Sequence, residues 1–148
     1  MNFRRAEKAD FKRISDILKA IDEYHEKLVF DDFYVAEKDN KILGAVQFKE
    51  NKEFFFLSSL GVDAKYQKQG VASFLINKLT QLSDKKIYLY TVIPDFFKKF
   101  GFKAAKQESF LPDKNIMECE TCFPKRCVCM IKDIKNCPLN KKFCRKTL

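Results

Sequence analysis

The chain has 148 residues, 46% of them hydrophobic, with sixteen Phe, no Trp and four Gly; this suits one domain around one core in which aromatic rings take a large share. No stretch approaches the roughly 20 apolar residues of a membrane span, and Met1–Arg5 lacks a secretion-signal pattern, so no membrane association is expected and the cytoplasm is the expected compartment. The net charge is +9, and nearly all of the excess lies from Phe96 onward, where 13 Lys or Arg meet 5 Asp or Glu.

In chain order, Asp10 is placed to cap an amphipathic helix whose stripe is Phe11, Ile14, Ile17, Leu18 and Ile21. The residues that follow, Asp22, Glu23, Tyr24, His25 and Glu26, read as a solvated helix end. His25 is the single histidine, which leaves a His-based metal site or catalytic pair little to draw on. Asp32 to Glu37, the turn Lys38-Asp39-Asn40-Lys41, and Ile42 to Phe48 predict a hairpin. A strand is expected over Phe54 to Val62 and a helix over Ser73 to Leu82, then a second apolar run from Ile87 to Val92. Pro94 suits a first helical turn because its missing N–H would be unpaired there, and Gly101 suits a left-handed stop.

The junction Gln67-Lys68-Gln69-Gly70-Val71-Ala72 joins the first apolar strand to the helix and carries the strongest chemical signal. A helix start exposes backbone N–H groups and a partial positive charge, so a pyrophosphate can be held by main chain alone. Gly70 allows close approach, and Ala72 stays out of the way. A Walker loop would instead need Gly-Lys-Ser/Thr.

The order Gln-x-x-Gly-x-Ala resembles the acetyl-CoA pyrophosphate loop of the GNAT superfamily of N-acetyltransferases, and Pro94-Asp95-Phe96-Phe97-Lys98-Lys99-Phe100-Gly101-Phe102 is similar to that family's late helix and closing Gly-Phe. The resemblance covers residues 1–133 as one acetyltransferase domain, with 134–148 a basic, Cys-containing extension of it. It implies an α/β (α+β) fold with a mixed, mostly antiparallel central sheet flanked by helices, and acetyl-CoA as cosubstrate. Leu60, Gly61 and Val62 would offer backbone N–H groups to the thioester oxygen and the pantetheine arm. Gln67, Lys68, Gln69, Gly70, Val71, Ala72 and Ser73 would hold the pyrophosphate, and Phe97 would line the cofactor. The family's first helices often wall the acceptor site, which would bring Asp22 to Glu26 near substrate.

The reaction implied is direct attack of a primary amine on the acetyl group, which needs a base near the amine and an acid for the departing thiolate. Glu53 and Glu108 are the base candidates, each otherwise a surface charge. Many relatives place a Tyr acid where this chain has Phe96-Phe97, so Tyr90 is the first acid candidate, ahead of Tyr88 and water. The stretches Thr91 to Phe97, Leu111 to Lys114 and Cys119 to Phe123, with Cys127 and Cys129 to Lys132, resemble small amino-acid N-acetyltransferases, including N-acetylglutamate synthase-like ones. A small amine acceptor is therefore expected. Where those relatives carry Glu and Arg before the acetyl-CoA strand, this chain reads Phe56-Leu57-Ser58, so the Arg fork for a carboxylate is missing. The alternative is an acetyl-CoA-binding or metal-binding regulatory module without turnover.

Five of six cysteines fall between Cys119 and Cys137. Cys119-x-x-Cys122 with Cys127 and Cys129 could hold one tetrahedral zinc; plain reduced thiols are the alternative. The basic C-terminal excess could draw CoA phosphates, an acidic acceptor or nucleic acid, and nucleic acid is the weaker reading because no recognition-helix pattern is present. A homodimer through the C-terminal strand stays open.

Overall fold

The computed structural model describes residues 1–21, 28–112 and 127–133. Seven strands form one sheet in the order β1-β2-β3-β4-β5-β7-β6. They are β1 (Asn2–Arg5), β2 (Phe33–Lys38), β3 (Lys41–Glu50), β4 (Phe54–Val62), β5 (Lys86–Thr91), β6 (Lys103–Ala104) and β7 (Val128–Lys132), with helices α1 (Phe11–Ala20), α2 (Val71–Leu82) and α3 (Pro94–Lys98). Among the described strands only the β4–β5 pair is parallel. The expected mixed sheet with flanking helices is what the chain forms.

Local chemistry explains most of these elements. The β2–β3 hairpin closes through Asp39 and Asn40, both left-handed at φ 53° and 61°, the conformation a two-residue turn needs and Asn and Asp tolerate. Asp10 does stand at the α1 N-cap, but its carboxylate is spent elsewhere: it accepts from the Glu7 amide at 2.7 Å and pairs with Arg4 at 2.7 Å. The Arg4 guanidinium holds the Asp10 carboxyl below the usual carboxylate range. Arg4 also reaches Glu37 at 2.9 Å, which ties β1 to β2. The strand β1 was not evident from the sequence, since Asn-Phe-Arg-Arg is short and charged; it is recruited by its antiparallel partner β2.

The helices cover opposite faces of the sheet. Under α2, Leu75, Ile76, Leu79, Ile87, Leu89 and Met130 are each 0–1% exposed. Each such side chain contributes about 1.5–3 kcal/mol by leaving water. The centre of this face is thus aliphatic, and the aromatic rings expected to fill the core sit around it; Phe48 stacks on Phe55 at 4.4 Å, and Phe97 packs edge-on against Phe102. On the other face α1 buries Ile14, Ile17 and Leu18 against Phe33, Val35, Ile42 and Ala45, along the stripe expected. A separate cluster of Phe54, Phe56, Tyr88, Leu111 and Cys129 covers the rest of that face.

Candidate functional site

The site begins where two parallel strands part. Pairing of β4 with β5 ends at Leu57 opposite Leu89. Beyond that point β4 stays with β3 as far as Val62, while β5 stays with β7 through Tyr90 and Thr91. The register of β3 and β4 shifts here, so that Ser59 and Leu60 together oppose Val46, and Ser59 takes a left-handed φ of 51°. This β-bulge bends β4 and re-aims its main chain. From Ser58 onward the β5-facing edge of β4 has no strand partner among the described residues. Leu60 and Val62 pack towards α2, and Gly61 is buried beneath Leu18 of α1 and Ile21 just after it, where an added Cβ would lie 2.9 Å from both side-chain ends.

The loop after β4 is braced from within. Asp63 accepts from the Lys65 amide at 2.9 Å and pairs with Arg13, which also donates to the Ile42 carbonyl at 2.9 Å. The Lys65 N–H, with Arg13 second, holds the Asp63 carboxyl below the usual range. Gln67 donates to the Val62 carbonyl and Gln69 to the Lys65 carbonyl, each at 3.2 Å. Both glutamine side chains therefore tie the loop to itself.

At its end Gly70 adopts φ 84°, ψ 10° as the N-cap of α2 and supplies no side-chain cap; the first turn contains no acidic residue. The first bond of the helix runs from Phe74 N to Gly70 O at 2.9 Å, so the Val71, Ala72 and Ser73 amides precede the intrahelical ladder. A Cβ at Gly70 would meet no atom within 4 Å, and Lys65 and Lys68 are exposed alongside. Open space, free amides and nearby cations fit a pyrophosphate.

Beside the splay, on the face opposite α2, lies a cavity of about 300 Å³. Gln47 and Lys49 of β3, Phe54, Phe56 and Ser58 of β4, Asn51, and Phe110 to Pro112 line it. Gln47 is fully occupied: it donates to the carbonyls of Val29 at 2.8 Å and Asp31 at 2.9 Å, and accepts from the Ser58 hydroxyl at 3.2 Å. None of these β3 and β4 residues was singled out for this pocket by the sequence. The alternation of Gln47 and Lys49 with buried Val46 and Phe48 marks them as one face, but only the pairing of Gln47 with Ser58 and Lys49 with Phe56 makes them a wall.

Of the residues expected to act, Tyr90 stands at the splay, one position past the last β4–β5 pair. Its ring meets Phe56 edge-on at 5.1 Å, and its hydroxyl donates to the Pro112 carbonyl. Tyr88 lies within the paired region; burial pushes its phenol up, and Glu108 nearby adds to the shift. Glu108 is half-buried, within electrostatic reach of Tyr88, and its carbonyl accepts from the Leu111 amide at 3.1 Å, next to the cavity wall. Glu53 is exposed at the start of β4, at the far end of the strand from Leu60 to Val62. Phe97 is 5% exposed within the core beneath α2. Cys129 is buried, with its thiol 3.9 Å from the Lys106 carbonyl, and Cys127 precedes β7. Cys119, Cys122, His25 and the extension 134–148 lie outside the described residues. Among the described residues no three His, Cys, Asp or Glu side chains form a metal site, so zinc gains no support. No described helix is long and apolar enough to cross a membrane.

Among the described residues, a seven-stranded sheet that opens between its one parallel pair, above a glycine-capped helix, defines the class of fold: that of the acetyltransferase (GNAT) domain. The family model of the acetyltransferase (GNAT) domain matches residues 30–104, and the chain belongs to that family. A Chlorobaculum tepidum protein described as an uncharacterized N-acetyltransferase is 30% identical over 104 residues, which cover 66% of this chain and 65% of that protein. Among solved structures, the Mycobacterium tuberculosis protein Rv2747, in complex with CoA and NLQ, has a TM-score of 0.70 at 16% identity over 90% of this chain and 99% of its own. N-acetylglutamate synthase from Neisseria gonorrhoeae, complexed with coenzyme A and N-acetyl-glutamate, has a TM-score of 0.67 at 16% identity over 89% of this chain and 34% of its own. At such identities the two structures establish the shared fold.

Proposed function

We propose that the protein is an acetyl-CoA-dependent N-acetyltransferase acting on the primary amine of a small molecule, an amino acid in the first instance. The observation that carries this reading is the break in β4–β5 pairing after Leu57, set beside the open amides of Val71, Ala72 and Ser73 at Gly70. One edge can take a pantetheine arm, and the helix start can take the pyrophosphate. The complexes of the two structural neighbours with CoA support the same ligand here. Bound acetyl-CoA would supply the activated acetyl group.

In this reading Leu60, Gly61 and Val62 present main chain along the open edge, and the loop from Gln67 to Ser73 holds the phosphates. The roles within the loop differ: Gly70, Val71, Ala72 and Ser73 face the anion with backbone, Lys65 and Lys68 add charge, and Gln67 and Gln69 keep the loop's shape. Phe97 contributes by packing the floor beneath the splay. The acceptor amine approaches from the cavity, attacks the acetyl carbon and loses one proton; the departing sulfur gains one. Glu108, acting through water, is assigned the first transfer, because it is half-buried next to the cavity wall while Glu53 is exposed at the distant strand end. Tyr90 is assigned the second, because it is the tyrosine that stands past the last β4–β5 pair.

A mass-spectrometric product screen tests the reading. Purified protein is given acetyl-CoA with pooled amino acids, polyamines, aminoglycosides and short peptides, and free CoA is quantified in parallel. An acetylated amine with matching CoA release is the expected result. Acetyl-CoA binding without release of CoA for any amine would overturn it.

A further inference from the structure

We propose that the cavity between β3, β4 and Phe110 recognises the acceptor as an amino acid with an apolar, preferentially aromatic, side chain, and that Lys49 pairs with its free carboxylate. This rests on the acetyltransferase reading for its chemistry but on the cavity alone for its selectivity. Three phenylalanines set the character of the walls. Phe54 and Phe56 are 8% and 4% exposed, whereas Phe110 is 56% exposed, with its ring 5.2 Å from Phe54 and 5.8 Å from Tyr88. An aromatic ring left that open beside two buried ones is a surface that gains by being covered.

Charge then chooses among apolar amines. Among the described residues Lys49 is the one cation in the cavity lining, no acid lines it, and no ion pair holds Lys49. A polyamine or aminoglycoside would meet a like charge at Lys49; a zwitterionic amino acid would meet a counter-ion for its carboxylate. The missing Arg fork of Phe56-Leu57-Ser58 is thereby replaced from the neighbouring strand, since Lys49 is the cross-strand partner of Phe56. Ser58 lies at the splay end of the same wall, one residue before the bulge at Ser59, so a ligand whose carboxylate faces Lys49 can direct its amine towards the open edge.

The test uses the full chain with acetyl-CoA and compares L-phenylalanine, L-phenylalaninamide, glycine and spermidine, by acetylated product and by calorimetric binding in the presence of CoA. L-Phenylalanine is expected to exceed its amide by about tenfold in kcat/KM or in binding affinity, the size of a charge-assisted contact. Lys49→Met should bring the acid-to-amide ratio near one, and Lys49→Arg should restore it. Phe110→Ala should narrow the preference for L-phenylalanine over glycine several-fold. Equal use of acid and amide, a ratio unmoved by Lys49→Met, or spermidine as the best ligand would overturn the inference. Turnover confined to other amines would sink it while leaving the acetyltransferase reading intact. Carboxylate-dependent binding without CoA release would do the reverse, and absence of both binding and turnover would remove both.

Discussion

The two faces of the sheet are covered differently, and that difference separates stability from function. Beneath α2 one twelve-residue helix lies across β2, β3 and β4, and the side chains it covers are sealed. On the opposite face α1 covers the β2–β3 side, while Leu111 and its neighbours cover β5 and β7. Two separate covers leave a gap, and the gap is the cavity lined by Gln47, Lys49, Phe56 and Ser58. On the first face α2 and Phe97 of α3 share one buried cluster, whereas the two covers of the opposite face stay apart and keep room for a ligand.

The largest effect should come from the sealed face. Leu75→Ala removes a side chain that is 0% exposed and should cost about 3–4 kcal/mol of stability, read as a lower denaturation midpoint, with acetyl-CoA affinity of the folded fraction unchanged. A loss of binding equal to the loss of stability would contradict the separation. Gly70→Asp should act in the opposite sense: about 100-fold weaker acetyl-CoA binding through repulsion, with the added strain of φ 84° costing only about 1–2 kcal/mol in folding. Unchanged Kd for acetyl-CoA would remove the loop assignment.

A paired glycine experiment compares the two faces directly. An added Cβ at Gly44 would lie 2.9 Å from the Val71 side chain and 3.0 Å from the Gly61 carbonyl, groups with little room to move. At Gly61 it would meet the flexible ends of Ile21 and Leu18. Gly44→Ala should therefore cost about 2 kcal/mol and Gly61→Ala under about 1, and equal penalties in chemical denaturation would show that the faces are equally rigid.

Smaller effects sharpen the site. Tyr90→Phe should lower kcat about tenfold and alter the alkaline limb of the pH profile, whereas a change confined to KM would reassign Tyr90 to positioning. The acid limit of stability tests the loop. Asp63 has a folded pKa below its unfolded value of about 3.9, so its contribution is present above that value and is lost as pH falls through the folded pKa. In Asp63→Asn the acid transition should be shallower below about pH 4; an identical acid profile would show that the Arg13 pair adds nothing.

Local chemistry made much of this molecule legible in advance. The Asp39-Asn40 turn, the stripe of α1, the proline start of α3 and the Gly70 junction each depend on a few adjacent residues, and the sequence determined them. Near-neighbour signals also showed that β4 and β5 are apolar strands around a helix, because both faces of these strands are buried. The sequence could not show that β4 abandons β5 after Leu57, that Ser59 and Leu60 share one partner, or that Lys49 stands across from Phe56. Those facts are pairings between residues distant in the chain, and a strand's side-chain alternation is the same whichever neighbour it takes. Tertiary structure also decided which polar groups were spent on architecture: Asp10 on Arg4, Gln67 on Val62, Arg13 on Asp63. Composition supplies such groups, but only packing determines which of them face a partner and which face the ligand.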